Sequence, residues 1–168
     1  MRESRTNAMR VLDAHKVAYH VHEYSPEIHS AAEAAQALGL PAERVYKTLV
    51  VMRGEARARP LLVMVAGGHE LDLRSLARAT GDKKLRMATQ KEAEALTGLQ
   101  VGGIGALALL NRGFEIWLER AATAHGTILV NAGQRGLNLE VGVSELVKVT
   151  QAKLFDILTP VNVNEELP

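Results

Sequence analysis

A lysine stands in the middle of an apolar run, Val45-Tyr46-Lys47-Thr48-Leu49-Val50-Val51-Met52. The β-branched and apolar content of this run is that of a strand. Side chains alternate between the two faces of a strand, so Lys47 shares a face with Val45, Leu49 and Val51. An ammonium on such a face is costly to desolvate unless an anion or a route to water compensates it. The anion is either a neighbouring carboxylate or part of a ligand, such as a phosphate; a lysine at an exposed rim is the plainer alternative. A second candidate is the stretch Thr97-Gly98-Leu99-Gln100-Val101-Gly102-Gly103-Ile104-Gly105. Glycines allow positive φ and close backbone approach, so their N–H groups can cradle an oxyanion or phosphate. The stretch is neither a Walker A loop nor Gly-x-Gly-x-x-Gly after a strand, and a glycine-rich corner would read the same way.

The histidines offer less. His20 and His22 lie two apart on one strand and share a face, which is a chelating geometry, but no third ligand completes a metal site. They read as an exposed pair on an edge strand. His69, beside Glu70 and Asp72, reads as part of a helix-capping turn, and His125 before Gly126 as a turn residue. Arg135, between Gly133 and Gly136, sits in a tight turn; it is either a phosphate or carbonyl partner at the mouth of a site or a solvated hairpin arginine. Thr48 and Asp72 are supporting candidates.

The elements that must position these residues follow from local signals. Helices are expected at residues 7–16, at 30–38 after the Ser30-x-x-Glu33 signal, at 73–79 after Asp72, at 89–96 after Thr89-x-x-Glu92, and from Ser144. Strands are expected at 17–24, 45–52, 61–66, 85–87, 115–118, 127–131 and 137–141. Arg53-Gly54-Glu55 suits a hairpin turn, and Thr159 to Pro168 reads as a disordered tail. Strands and short helices interleave without strict β-α-β alternation. The expected class is mixed α/β: a curved, barrel-like mixed sheet with helices packed outside, in one domain over residues 1–158.

Bulk composition narrows the function. At 168 residues, 47% hydrophobic and 23% charged, the chain is that of a globular protein with a substantial core. Aromatic residues make up only 4%, against a single-strand binder built on stacked rings. A net charge of +1 excludes a strongly basic coat but allows local patches, Lys83-Lys84-Arg86 and Arg53-Arg57-Arg59, both of which also read as solvated surface. No cysteine is present, which removes disulfides, zinc thiolates and a thiol nucleophile of the protein. No apolar run approaches the ~20 residues of a membrane span, and no signal peptide is evident, so a cytoplasmic location is expected.

Three motifs then carry a resemblance. Val45-Tyr46-Lys47-Thr48-Leu49, Thr97-Gly98 followed by Val101-Gly102-Gly103-Ile104, and Gly133-Gln134-Arg135-Gly136-Leu137 occur in order over one domain. Together they resemble the YbaK/EbsC family of Cys-tRNA(Pro) deacylases, related to the editing domain of prolyl-tRNA synthetase, from about Ala8 to Leu158. The resemblance implies removal of a wrong amino acid from tRNA in trans, with aminoacyl-tRNA as substrate and prolyl-tRNA synthetase as a further partner. It implies that Lys47 engages the 3′ end of the tRNA, with Thr48 beside it, and that Gly102, Gly103 and Ile104 belong to the loop holding the terminal adenosine and the ester. It implies that the substrate itself takes part in the chemistry, through the thiol of a misloaded cysteine or the ribose hydroxyl of the terminal adenosine; no cofactor and no metal are expected. Where the family loop continues Gly-Gly-Ile-Ser-Pro, this chain has Gly102-Gly103-Ile104-Gly105-Ala106. That departure leaves open a tRNA-binding or synthetase-associated module of the same fold with little activity.

No serine lies in a Gly-x-Ser-x-Gly elbow with His and Asp partners, so no nucleophile of the protein is evident. The residues that remain can position and stabilise: Lys47 on a phosphate, and the backbone N–H groups of Gly102 and Gly103 on a developing oxyanion.

Overall fold

The computed structural model describes residues 5–54 and 58–157. The expectations for Arg57 and for the tail from Thr159 lie outside these residues. The described residues form helices α1 (Asn7–Ala14), α2 (Ala31–Leu38), α3 (Leu73–Thr80), α4 (Gln90–Thr97) and α5 (Val143–Thr150). The strands are β1 (Tyr19–Glu23), β2 (Val45–Arg53), β3 (Leu61–Ala66), β4 (Leu85–Met87), β5 (Glu115–Glu119), β6 (Thr127–Asn131), β7 (Leu137–Gly142) and β8 (Lys153–Phe155).

Local chemistry fixes the helix ends. The Ser30 hydroxyl accepts the Glu33 N–H, Asp72 accepts the Arg74 N–H, and Thr89 and Glu92 form a complete capping box. Gly39, Gly81 and Gly98 close α2, α3 and α4 in the left-handed conformation. α1 stops short of its expected end, because Lys16 itself turns to φ 58° and breaks the helical ladder. β8 and three 3-10 turns, at Ala42–Arg44, Ala106–Leu109 and Arg120–Ala124, were not expected from local pattern.

The strands form one mixed sheet in the order β1-β7-β6-β2-β3-β5-β8, with β4 added to β2. The β2–β6, β3–β5 and β5–β8 pairs are parallel and the others antiparallel. The chain is thus mixed α/β, as expected, and its sheet ends at β1 and β8 without closing on itself.

All six residues of β3 are buried, as a central strand covered on both faces requires. On one face Tyr46, Val50, Leu62 and Met64 join the larger core with Ala8, Met9 and Leu12 of α1. On the other face there are two smaller clusters. One gathers Val51, Val63, Val65, Trp117 and Phe155 around Leu76 of α3, and the other sets Val45 and Leu129 under Ala34 and Ala35 of α2. Lys47 lies on this second face, between the two clusters.

Candidate functional site

β2 is flanked unevenly, and this makes the site. On one side β3 runs beside it from Tyr46 to Val51. On the other side β6 pairs only with Val45 and Tyr46, and β4 only with Val51, Met52 and Arg53. Backbone groups of alternate strand residues point to opposite sides. The Val45 carbonyl accepts the Gly67 N–H on the β3 side at 2.7 Å, and the Val50 carbonyl accepts the Ala88 N–H on the β4 side at 3.0 Å. The backbone N–H and C=O of Thr48 therefore face the gap between β6 and β4, where no strand of the described residues lies.

A pocket of about 410 Å³ opens over this gap, within the range of small-ligand sites. Lys47, Thr48, Gly102 and Ile104 all line it, so residues 54 or more apart in sequence meet as the motifs implied. The start of α2 (Ser30, Ala31) forms one wall and Ala88 with Ala93 another. Tyr24, Asn131 and Asn138 supply a polar wall that the sequence reading missed.

Lys47 Nζ donates to the His69 carbonyl at 2.7 Å. Burial lowers its pKa, against the pull of the Glu70 and Glu119 carboxylates, which favour the ammonium. The expected alternatives thus coexist: carboxylates lie near, and the side chain still borders the pocket. The Tyr24 hydroxyl donates to Asn138 Oδ1 at 3.3 Å, and burial raises its pKa. Tyr46, also on the pocket wall, has a buried hydroxyl with no hydrogen-bond partner among the described residues.

The glycine loop is fastened rather than loose. Glu94 Oε2 accepts the Val101 N–H at 2.8 Å, and the Gly103 N–H donates to the Gln100 carbonyl at 2.7 Å. The Gly103 amide is thus engaged in the turn of its own loop. Gly103 is small for another reason, since a Cβ there would lie 2.8 Å from the Arg135 nitrogen. The Gly102 N–H, by contrast, donates to no group among the described residues. Gly102 has φ +92°, and a Cβ on it would stand 3.0 Å from the His29 Cβ.

Arg135 does not line the pocket. Its Nε donates to the Val101 carbonyl at 2.8 Å, so it ties the 133–136 turn to the glycine loop from behind. Asp72 caps α3 and takes no place in the pocket. His22 Nε2 lies 2.9 Å from Glu140, while the ring of His69 bonds Glu119 at 2.6 Å instead of serving a cap. Among the described residues no three His, Asp or Glu side chains gather in a metal-holding group. Of the basic clusters, Arg86 is paired with Glu92 and Arg53 with Asp82.

Comparison with known proteins places this geometry. The model of the aminoacyl-tRNA editing domain matches residues 25–149. The chain belongs to the aminoacyl-tRNA editing domain family. It is 35% identical over 159 residues to a protein of Enterococcus faecalis named "Putative Cys-tRNA(Pro)/Cys-tRNA(Cys) deacylase EbsC", covering 94% of this chain and 95% of that one. It is also 35% identical over 86 residues to the proline–tRNA ligase of Trichlorobacter lovleyi, of which it matches only 15%. A crystal structure titled as that of "a putative trans-editing enzyme for prolyl tRNA synthetase" superposes with a TM-score of 0.77 at 26% identity, covering 94% of this chain and all of the other.

Proposed function

We propose that this editing-domain protein is a trans-acting aminoacyl-tRNA deacylase whose pocket takes the 3′-terminal aminoacyl-adenosine, with Cys-tRNA(Pro) as substrate. The observation that carries the reading is the convergence of Lys47 and Gly102 on one pocket at the unpaired stretch of β2. Action in trans is supported by end-to-end similarity to a free-standing relative, against a match to a small part of the ligase. The small side chains of Ala31, Ala32, Ala88 and Ala93 in the lining suit a small aminoacyl group. A cytoplasmic location belongs to the same reading. Among the described residues no helix is long and apolar enough to cross a membrane. A barrel-like curl of the sheet around the larger core belongs to the same reading, since it would bring the glycine loop over Thr48.

In the reaction an oxygen or sulfur nucleophile adds to the ester carbonyl carbon, and the carbonyl oxygen becomes an oxyanion. The C–O bond to the ribose then breaks, and the ribose oxygen leaves with a proton. No nucleophile of the protein is required if the cysteine thiol attacks, or if water attacks while the neighbouring ribose hydroxyl receives its proton. Lys47 holds the phosphate of the RNA end, and the free Gly102 N–H faces the developing oxyanion. Thr48 offers a backbone donor and acceptor at the open strand edge, suited to the edge of a base.

The test is deacylation of Cys-tRNA(Pro), Ala-tRNA(Pro) and Cys-tRNA(Cys) side by side. Release of cysteine from tRNA(Pro) above the uncatalysed rate is expected. Tight binding of all three with no release would favour the inactive tRNA-binding module, for which the Gly105-Ala106 replacement is the argument.

A further inference from the structure

Glu119 ends the apolar run Ile116-Trp117-Leu118 and is only 3% exposed. A carboxylate at that depth needs hydrogen bonds and counter-charge in place of its water. Both oxygens are engaged: Oε1 accepts the Ala66 N–H at 3.1 Å, and Oε2 lies 2.6 Å from His69 Nδ1. Ala66 and His69 are the two ends of the bend that carries the chain out of β3. Glu119 therefore clamps that bend at both ends. Its middle is held too, because the Gly67 N–H donates to the Val45 carbonyl at 2.7 Å. What the clamped bend presents is the His69 carbonyl, the group on which the Lys47 ammonium rests at 2.7 Å.

We propose that Glu119 is a positioning residue for Lys47: by fixing the Ala66–His69 bend it aims the His69 carbonyl that holds the ammonium at the pocket. A lysine side chain is flexible, and one carbonyl anchors it only if that carbonyl is itself immobile. Glu119 also contributes charge. With Glu70 it favours the ammonium form against the desolvation of Lys47, while the His69 ring is turned to Glu119. The inference rests on the reading of Lys47 as the group that engages the RNA end.

The test is a double-mutant cycle on binding, so that it does not depend on residual turnover. The probe is cysteinyl-tRNA(Pro) carrying an amide in place of the ester. Glu119→Gln keeps the shape of the side chain and removes its charge. His69→Ala cuts the clamp at its exposed end, which protects the test if Glu119→Gln folds poorly. Each is expected to weaken binding about tenfold when Lys47 is present and to change nothing in a Lys47→Met background. Glu119→Gln is also expected to move the alkaline limit of binding to lower pH, because one carboxylate favouring the ammonium is gone. Equal losses in both backgrounds, or wild-type binding by both single variants, would overturn the proposal while leaving Lys47 in place. Wild-type binding by Lys47→Met alone would overturn the reading of Lys47, and the proposal with it.

Discussion

Asn131 Nδ2 donates to the Gly102 carbonyl at 3.0 Å, and Asn131 Oδ1 accepts the Gly133 N–H at 2.7 Å. One side chain at the end of β6 thus holds the glycine loop and the following turn together. Glu94 and Arg135 secure the same loop through the N–H and carbonyl of Val101. With its neighbours fixed in this way, Gly102 lines the pocket without having to order itself on binding, which is what the proposed role of its amide requires.

Lys47→Met should lower deacylation about a hundredfold or more, the loss typical of removing one group that stabilises developing or bound charge. The fold should survive. Burial lowers the pKa of Lys47, so the folded chain binds this proton less readily than the unfolded chain. The resulting destabilisation is present below the folded pKa and fades as pH rises toward the ordinary lysine value of 10.5. At neutral pH the variant should therefore melt at the same temperature as the parent or higher. The same depression places the alkaline limb of the parent's activity below 10.5, measured after subtraction of spontaneous ester hydrolysis. Full turnover by a folded Lys47→Met protein would remove this residue from the mechanism.

Glu140 gives a stability prediction independent of the site. Hydrogen bonds from Thr127 and His22, then the Arg44 guanidinium, hold its carboxyl down at about 2. A depressed carboxylate contributes stability above its unfolded value of 4.5 and loses it as pH falls through about 2. The side chain is 23% exposed, so the contribution is discounted to about 1–2 kcal/mol. Glu140→Gln should destabilise at pH 7 and flatten the acid limb of the melting curve. An unchanged acid limb would mean that the β1–β7 edge does not carry this linkage.

Activity should survive EDTA and need no added metal. His22 is engaged by Glu140 and His69 by Glu119, and both carboxylates have further partners. Loss of deacylation in chelator, restored by zinc, would show that these histidines serve a different purpose from the one their hydrogen bonds indicate.

The helix boundaries were legible because their physics is local. Ser30, Asp72 and Thr89 each satisfy N–H groups within three residues, and Gly39, Gly81 and Gly98 supply the left-handed turn. Lys47 was legible because an ammonium among apolar neighbours stands out in any strand. β8 was not: Lys153–Phe155 becomes a strand only by parallel pairing with Trp117, Leu118 and Glu119, far away in sequence. The partnership of His69 with Glu119 spans 50 residues and was hidden for the same reason, although a carboxylate closing the run Ile116-Trp117-Leu118 is the mirror of the Lys47 signal. Asn131 and Asn138 read as ordinary strand ends, and only the register of β6 against β7, which sets them opposite each other, shows them on one wall.

The loop that departs from the family pattern can be probed at two glycines with opposite expectations. A Cβ at Gly105 would collide with the Asn131 carbonyl, so the backbone around this position leaves no room for a serine. Gly105→Ser should cost about 1–3 kcal/mol by overpacking, with activity per folded molecule falling only as far as Asn131 is displaced from Gly102. Ala106→Pro suits the backbone, since Gly105 is extended at ψ 134° and Ala106 opens a 3-10 turn. Its activity should hold if the ring fits the buried space. Gly102→Ala meets two obstacles, the positive φ and the His29 Cβ. Pairing it with His29→Gly removes the contact with the side chain and leaves the positive φ and the His29 Cα, which the Cβ would meet at 3.1 Å. If the paired variant recovers its melting temperature and still fails to deacylate Cys-tRNA(Pro), the orientation of the Gly102 amide matters to the chemistry and not only to the turn. Recovery of stability and rate together would show that Gly102 is small only to clear His29.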